Sequence, residues 1–357
     1  MDNRNMKTQT RQFFVGILIF LTMLVASTHA AEDPFSKFVK DVKKRDQAML
    51  KAVQQIEERW DRFYESTIED YYVYSKDGRV RRRANFSDES PEKGFLEVSV
   101  VDAKSEKEGQ KLLTKAVEKA LRERVGKQEL LKDQVQLNQK PLTKKNVLRR
   151  AKELKKQILK TTVLTKKGKK IVYSVKLQFA PDHLKKRAQV YAKQVKKYAR
   201  KYEVPPALIF AVMHTESFFN PVAKSSVAYG LMQLVPKSGA RDAYKKVFGR
   251  DKIVRPSYLY DPENNIRLGV AYLGILEKTF QRVKNRKFRT YLMICAYNTG
   301  PGNVSRAFIG KKRLSKAFSK INSFSPNEGF KHLVRNLPYE ETQHYLVRVN
   351  KRMPLYR

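Results

Sequence analysis

The chain has 357 residues, 41% of them hydrophobic and 31% charged, with a formal net charge of +40. That length allows two domains with separate cores, and the balance of apolar to charged residues excludes an intrinsically disordered chain. The charge predicts attraction to a polyanion, whether nucleic acid, an anionic membrane face or a carboxylate-bearing wall polymer, and cannot choose among them by itself.

The first element narrows the choice. Arg4, Lys7 and Arg11 precede an uncharged apolar run over residues 13–26, and Ser27-Thr28-His29-Ala30 puts small residues where a signal peptidase reads. Residues 1–30 therefore read as a secretory signal peptide cleaved after Ala30. The run is shorter than the roughly 20 residues of a membrane span, and an uncleaved anchor is the alternative. Export to the periplasm argues against a nucleic-acid partner. The only cysteine is Cys295, so no internal disulfide can form. No cysteine follows the leader, so a lipoprotein of the usual kind is not expected. Any membrane attachment would be electrostatic or through the leader.

Residues 35–66 read as a helix, with Phe38, Val39, Val42, Leu50, Val53, Ile56, Trp60 and Phe63 near helical spacing. Three strand-like stretches follow at 70–74, 79–86 and 94–102, the first two separated by the turn Lys76-Asp77-Gly78. Helices are expected at 106–125 and 144–159. A hairpin is expected from 160–164 and 169–179 around Lys166-Lys167-Gly168. This half is thus α+β with an antiparallel sheet. A basic helix over 183–202 serves as the connector, and from there helical patterns run to Arg357. The expected organisation is a signal peptide over 1–30, an α+β domain over 31–185 and an all-α domain over 186–357.

Pro205-Pro206 opens a helix that ends at Glu216. Glu216 falls seven residues after Ile209, four after Val212 and three after Met213, on the apolar face. Phe218-Phe219 follow at once. A carboxyl pressed against apolar surface keeps its proton to higher pH, which a general acid for glycoside cleavage needs. Position alone does not separate this from an ordinary helix-end glutamate; the neighbouring segments do. Ser225 to Gln233 is an irregular Ser/Gly segment that enters a helix and can present hydroxyl, backbone and amide groups to a cleft. Asp261-Pro262 is a helix start, and Ile266, Val270, Leu273, Leu276 and Phe280 make that helix core. A helix over 291–298 ends in Ala296-Tyr297-Asn298-Thr299-Gly300-Pro301, which can place a phenol and an amide in a cleft. Pro338 to Tyr345 opens the last helix and carries two more tyrosines, Tyr339 and Tyr345. His214-Thr215-Glu216 resembles the start of a zinc deaminase signature but has no Cys-x-x-Cys partner, and no His-Glu-x-x-His occurs. Neither a metal nor another cofactor is expected.

Glu216-Ser217-Phe218, Gly230-Leu231-Met232-Gln233, Ala296-Tyr297-Asn298-Thr299-Gly300 and Glu341-Thr342-Gln343-His344-Tyr345, in this order, resemble the soluble-lytic-transglycosylase catalytic domain, over roughly residues 190–350. That resemblance implies a goose-lysozyme-like fold. More loosely, Tyr72-Val73-Tyr74 to Asn85-Phe86-Ser87-Asp88 and the Phe95 strand resemble the N-terminal domain of the membrane-bound lytic murein transglycosylase C type. Many members of that type are lipoproteins, which this chain does not match.

The resemblance implies cleavage between N-acetylmuramic acid and N-acetylglucosamine in peptidoglycan, leaving 1,6-anhydro ends. Glu216 would be the single acid and base. Tyr345 would sit beside it, and Ser226, Met232, Gln233, Tyr297 and Asn298 would line the glycan cleft. The partners implied are peptidoglycan glycan strands, with electrostatic contact to the wall or membrane surface. The alternatives are a lysozyme-type hydrolase and a non-catalytic wall-binding protein.

Overall fold

The computed structural model describes residues 34–60, 65–89, 93–165 and 168–357. The predicted signal peptide, Phe63 and the Lys166-Lys167 turn lie outside them. Helix α1 spans Pro34–Trp60. The chain divides after Gln54, so that most of α1 is one unit and Gln55–Arg357 is the other. No described helix is long and apolar enough to cross a membrane.

Within the second unit, the α+β part is built on a five-stranded antiparallel sheet. Its strands are β1 (Asp70–Tyr74), β2 (Val80–Asn85), β3 (Phe95–Val101), β4 (Leu159–Thr165) and β5 (Gly168–Gln178), in the order β1-β2-β3-β5-β4. Asp70 pairs with Asn85 and Tyr74 with Arg81 across the predicted hairpin. Strand β3 is bonded on both edges, and Val98 and Val100 are fully buried. Helix α2 (Glu106–Leu121) adds Leu113, Val117 and Ala120 to the same core. Its start is fixed by Ser105, whose side chain accepts from the Glu108 amide. It ends four residues sooner than its apolar spacing predicts, because Gly126 at φ +58° turns Arg124–Val125 back against Gln128–Glu129.

Two other helices are shorter than predicted. Of 144–159, only Ala151–Lys156 (α3) is regular helix. Asn146 accepts from the Thr143 amide and donates to the Pro141 carbonyl, and Arg150 donates to the carbonyls of Leu137, Lys140 and Pro141. These polar side chains tie the segment to the chain before it, and Leu159 is taken into β4. The connector is two helices, α4 (His183–Val190) and α5 (Ala192–Tyr202), broken at the buried Tyr191.

The remaining helices are α6 (Pro206–Ser217), α7 (Gly239–Phe248), α8 (Pro256–Leu259), α9 (Pro262–Thr279), α10 (Arg286–Thr299), α11 (Pro301–Ile309), α12 (Leu314–Asn322), α13 (Pro326–Asn336) and α14 (Glu340–Arg352), closed by a 3₁₀ turn over Met353–Tyr356. Helix α9 starts at the predicted cap, where Asp261 accepts from the Asn264 amide, and its stripe Ile266, Val270 and Leu273 is fully buried. Two hydrophobic cores result. One joins the sheet to α2; the other gathers side chains from Ala188 to Val349.

Candidate active site

Helix α6 is apolar from Pro206 to Met213, and Leu208, Ile209, Ala211, Val212 and Met213 are buried. Glu216 occupies its last turn and is only partly exposed. Burial pushes its carboxyl up to about 8. The Glu341 carboxylate adds to that rise, while a hydrogen bond from Tyr345 and the charge of Arg348 oppose it. The Tyr345 hydroxyl donates to Glu216 Oε1 at 2.7 Å. A protonated Glu216 that accepts this bond on Oε1 carries its own proton on the other oxygen, free to be given away. Tyr345 is itself 3% exposed, and burial beside Glu216 pushes its phenol well above the usual range.

Past Ser217 the backbone turns sharply. Phe218 (φ +48°) and Phe219 (φ +59°) are both left-handed, a costly conformation for aromatic residues. Their carbonyls are held from outside. Arg187 donates to Phe218 O at 3.0 Å, to Phe219 O at 2.8 Å and to Gln134 Oε1 at 3.1 Å, and its guanidinium lies 3.7 Å from the Phe86 ring centroid. Arg187 is 2% exposed, and burial lowers it to about 10. It joins the α+β core to the end of α6. Sequence reasoning passed over it as one more cation in a basic helix.

Residues 223–234 form the loop facing this helix end. The segment is irregular, and the helix it enters begins only at Gly239, after Gln233 in the left-handed conformation (φ +43°). Gly230 (φ +77°) has no room for a side chain, since a Cβ would lie 2.3 Å from the Leu259 carbonyl. Ser217 Oγ donates to Leu231 O, and Asn265 brackets the turn by accepting from the Met232 amide and donating to the Tyr229 and Leu259 carbonyls. Asn265 sits one residue from Ile266 on the helix predicted as pure core. Its polar type in a buried stripe was the available signal.

The predicted cleft residues fall into distinct settings. Met232 is fully buried, packed on Gly269, and presents only backbone: its carbonyl accepts from the Tyr297 hydroxyl at 2.7 Å. Gln233 donates through Nε2 to the Ala223 and Gly230 carbonyls, while its buried Oε1 has no partner. Asn298 is partly exposed at the end of α10; its Oδ1 accepts from Thr342 Oγ at 2.6 Å, which fixes the amide, and its Nδ2 lies 3.4 Å from Glu341 Oε1. Ser226 is exposed, and with Lys224 and Ser225 it lines a depression of about 520 Å³ whose other wall is Glu65 to Glu69. Thus Glu216 and Tyr345 touch directly and Tyr297 joins the loop to α10, whereas Ser226 lies in a depression that none of them lines. Glu341 and Thr342, quoted in the sequence only as part of a motif, and Arg348, outside it, also reach this site.

Behind Glu216, His214 is 2% exposed. Its Nδ1 lies 2.9 Å from the Tyr356 hydroxyl and its Nε2 3.6 Å from Asp88 Oδ1. Burial holds its pKa below the usual value.

Residues 193–320, within the helical part, match the family model of the transglycosylase SLT domain. The match stops short of α14 and Tyr345. The chain is 42% identical over 194 residues to a membrane-bound lytic murein transglycosylase C of Serratia proteamaculans, covering 53% of each. It is 43% identical over 192 residues to the protein of the same name from Yersinia enterocolitica, again covering 53% of each. The chain therefore spans about half the length of the curated relatives it matches. The 70 kDa soluble lytic transglycosylase of Escherichia coli aligns at 29% identity over 49% of this chain and 25% of that one, with a TM-score of 0.38.

Proposed function

We propose that this protein is a periplasmic lytic transglycosylase that cuts peptidoglycan glycan strands, with Glu216 as sole proton donor and acceptor. The observation that carries the reading is the Glu216 carboxyl at the end of the apolar α6, held at 2.7 Å by the buried Tyr345 hydroxyl, a setting whose burial raises it to about 8. At neutral pH such a group is mostly protonated and can act as an acid without a partner. The SLT match and the transglycosylase names of the relatives agree with this substrate class.

In the proposed reaction, Glu216 gives its proton to the oxygen bridging N-acetylmuramic acid C1 and N-acetylglucosamine. The 2-acetamido group of the muramic sugar assists departure from its own ring. Glu216, now a carboxylate, takes the proton of the C6 hydroxyl, and that oxygen closes on C1. A 1,6-anhydro end forms and no water is consumed. Tyr345 stabilises the carboxylate between the two transfers. The unpartnered Gln233 Oε1 and the Asn298 amide supply an acceptor and a donor for sugar groups. The only other carboxylate that raises Glu216, among the described residues, is the exposed Glu341.

The two cores, one of residues from Ala84 to Phe179 with Phe218 inserted and one from Ala188 to Val349, support reading 31–185 and 186–357 as separate domains, the second lysozyme-like. The excess of cations supports retention on an anionic wall or membrane face, weakening as salt rises. Digestion of purified sacculi, with the new ends identified by mass spectrometry, tests the function. Anhydro ends support it; hydrated reducing ends would make the protein a hydrolase, and intact sacculi a binding protein.

A further inference from the structure

The end of α6 farthest from Glu216 opens into a cationic groove. Two adjoining depressions there share Pro205 and Arg286. One, of about 620 Å³, is lined by Lys196 and Arg200. The other, of about 540 Å³, is lined by Lys287, Asn350 and Arg357. Prolines 205, 206 and 354, Val204 and Met353 give the pair an apolar lining. Glu203 is the only acidic side chain in either. Lys196, Arg200, Arg286 and Lys287 are exposed, and among the described residues none has an ion-pair partner. Their near neighbours Lys197 and Arg289 are paired, with Glu263 and Glu277. The depression beside Ser226 has the opposite balance, with Glu65 and Glu69 against Lys224.

Pro206 and Glu216 are ten residues apart on one helix. At about 1.5 Å per residue, the groove begins about 15 Å from the reacting carboxyl. We propose that this groove binds the carboxylates of the acidic peptides carried by the glycan, gripping the wall polymer one helix length from the cut. This rests on the wall-substrate reading above. The unpaired, clustered cations are free to take an anion. The concave form suits an extended peptide, which reaches the lining, better than a flat bilayer, which cannot. Asn350 can hydrogen-bond a peptide backbone, and the proline and methionine surface suits aliphatic side chains.

The test uses full-length protein carrying Glu216→Gln, so that binding is read without cleavage and a failure of the catalytic proposal leaves it intact. Into this background go Lys196→Gln, Arg200→Gln, Arg286→Gln and Lys287→Gln together. A matched control removes four charges from exposed positions of α2: Lys107→Gln, Lys111→Gln, Lys115→Gln and Lys119→Gln. The probes are purified glycan strands with their peptides, the same strands stripped of peptides by an amidase, and vesicles containing phosphatidylglycerol. The groove variant is expected to bind peptide-bearing strands roughly tenfold more weakly. Stripped strands should be bound as before, and the control should change neither. Equal losses on both kinds of strand, a loss matched by the control, or no loss would overturn the proposal. So would a loss confined to vesicles, which would assign this face to the membrane. Melting curves confirm that the variants are folded.

Discussion

The Tyr345 hydroxyl reaches Glu216 Oε1 at 2.7 Å from a helix 129 residues further along the chain. The bond acts against the burial that surrounds it. Burial favours the neutral acid, and a phenol donating to Oε1 favours the anion. Together they hold Glu216 near neutrality, where it can lose and regain a proton within one turnover.

Tyr345→Phe removes the force that favours the anion. Glu216 is then expected to titrate above about 8, and the alkaline limb of kcat/KM to move to higher pH. The carboxylate formed in mid-reaction loses its donor, so kcat falls by about 10–100-fold. A pH–rate profile reads both effects; an alkaline limb moving to lower pH would contradict the assignment.

Glu216→Gln is expected to abolish cleavage, a loss on the order of 10³-fold or more, and to stabilise the fold. The folded carboxyl keeps a proton that the unfolded chain gives up above about 4.5. Its contribution to stability is therefore full below 4.5 and is lost as pH rises to about 8. Glutamine has no such cost. At neutral pH the variant should exceed wild type by on the order of 1 kcal/mol or more, with the gap closing in acid. Thermal melts at several pH values measure this.

Arg187→Met leaves two strained carbonyls and the Gln134 amide oxygen without their donor. Unfolding in urea is expected to show a loss on the order of 3 kcal/mol. Arg187→Lys should recover little, because one ammonium cannot reproduce the fork of three bonds. Activity should fall in both variants beyond the loss of folded protein, since the turn they loosen follows Glu216 directly.

His214 gives the fold an acid sensitivity. Its pKa is lowered by burial, with Arg352 opposing its charge and Asp88 and Glu89 favouring it. The folded imidazole resists protonation, so stability is full above 6.5 and declines as pH falls through 6.5 toward the folded value. His214→Gln should flatten that decline. Asp88, whose own pKa lies below 3.8, stays ionised through the start of that decline, and because Glu216 titrates in the opposite sense over the same range the comparison is made in a Glu216→Gln background.

Much of this was legible in the sequence because local chemistry decided it. The β1–β2 hairpin followed from Lys76-Asp77-Gly78 between alternating strands, and α9 from Asp261-Pro262. The candidate acid followed from one carboxylate on an apolar helix face. What escaped depended on distant partners. Arg187 looks like any cation until Phe218 and Phe219 present their carbonyls to it. Asn265 looks like a misplaced polar residue until the 229–232 turn closes on it. Met232 was expected in the cleft, but its side chain lies on Gly269 and only its carbonyl meets Tyr297. The break at Tyr191 has neither glycine nor proline to announce it.

The central claim is that burial keeps the Glu216 carboxyl protonated at neutral pH, and its titration tests this most directly. Carboxyl ¹³C resonances of labelled protein, assigned to Glu216 by comparison with Glu216→Gln, should show a transition near 8. A transition near 4.5, the ordinary value for glutamate, would contradict the account.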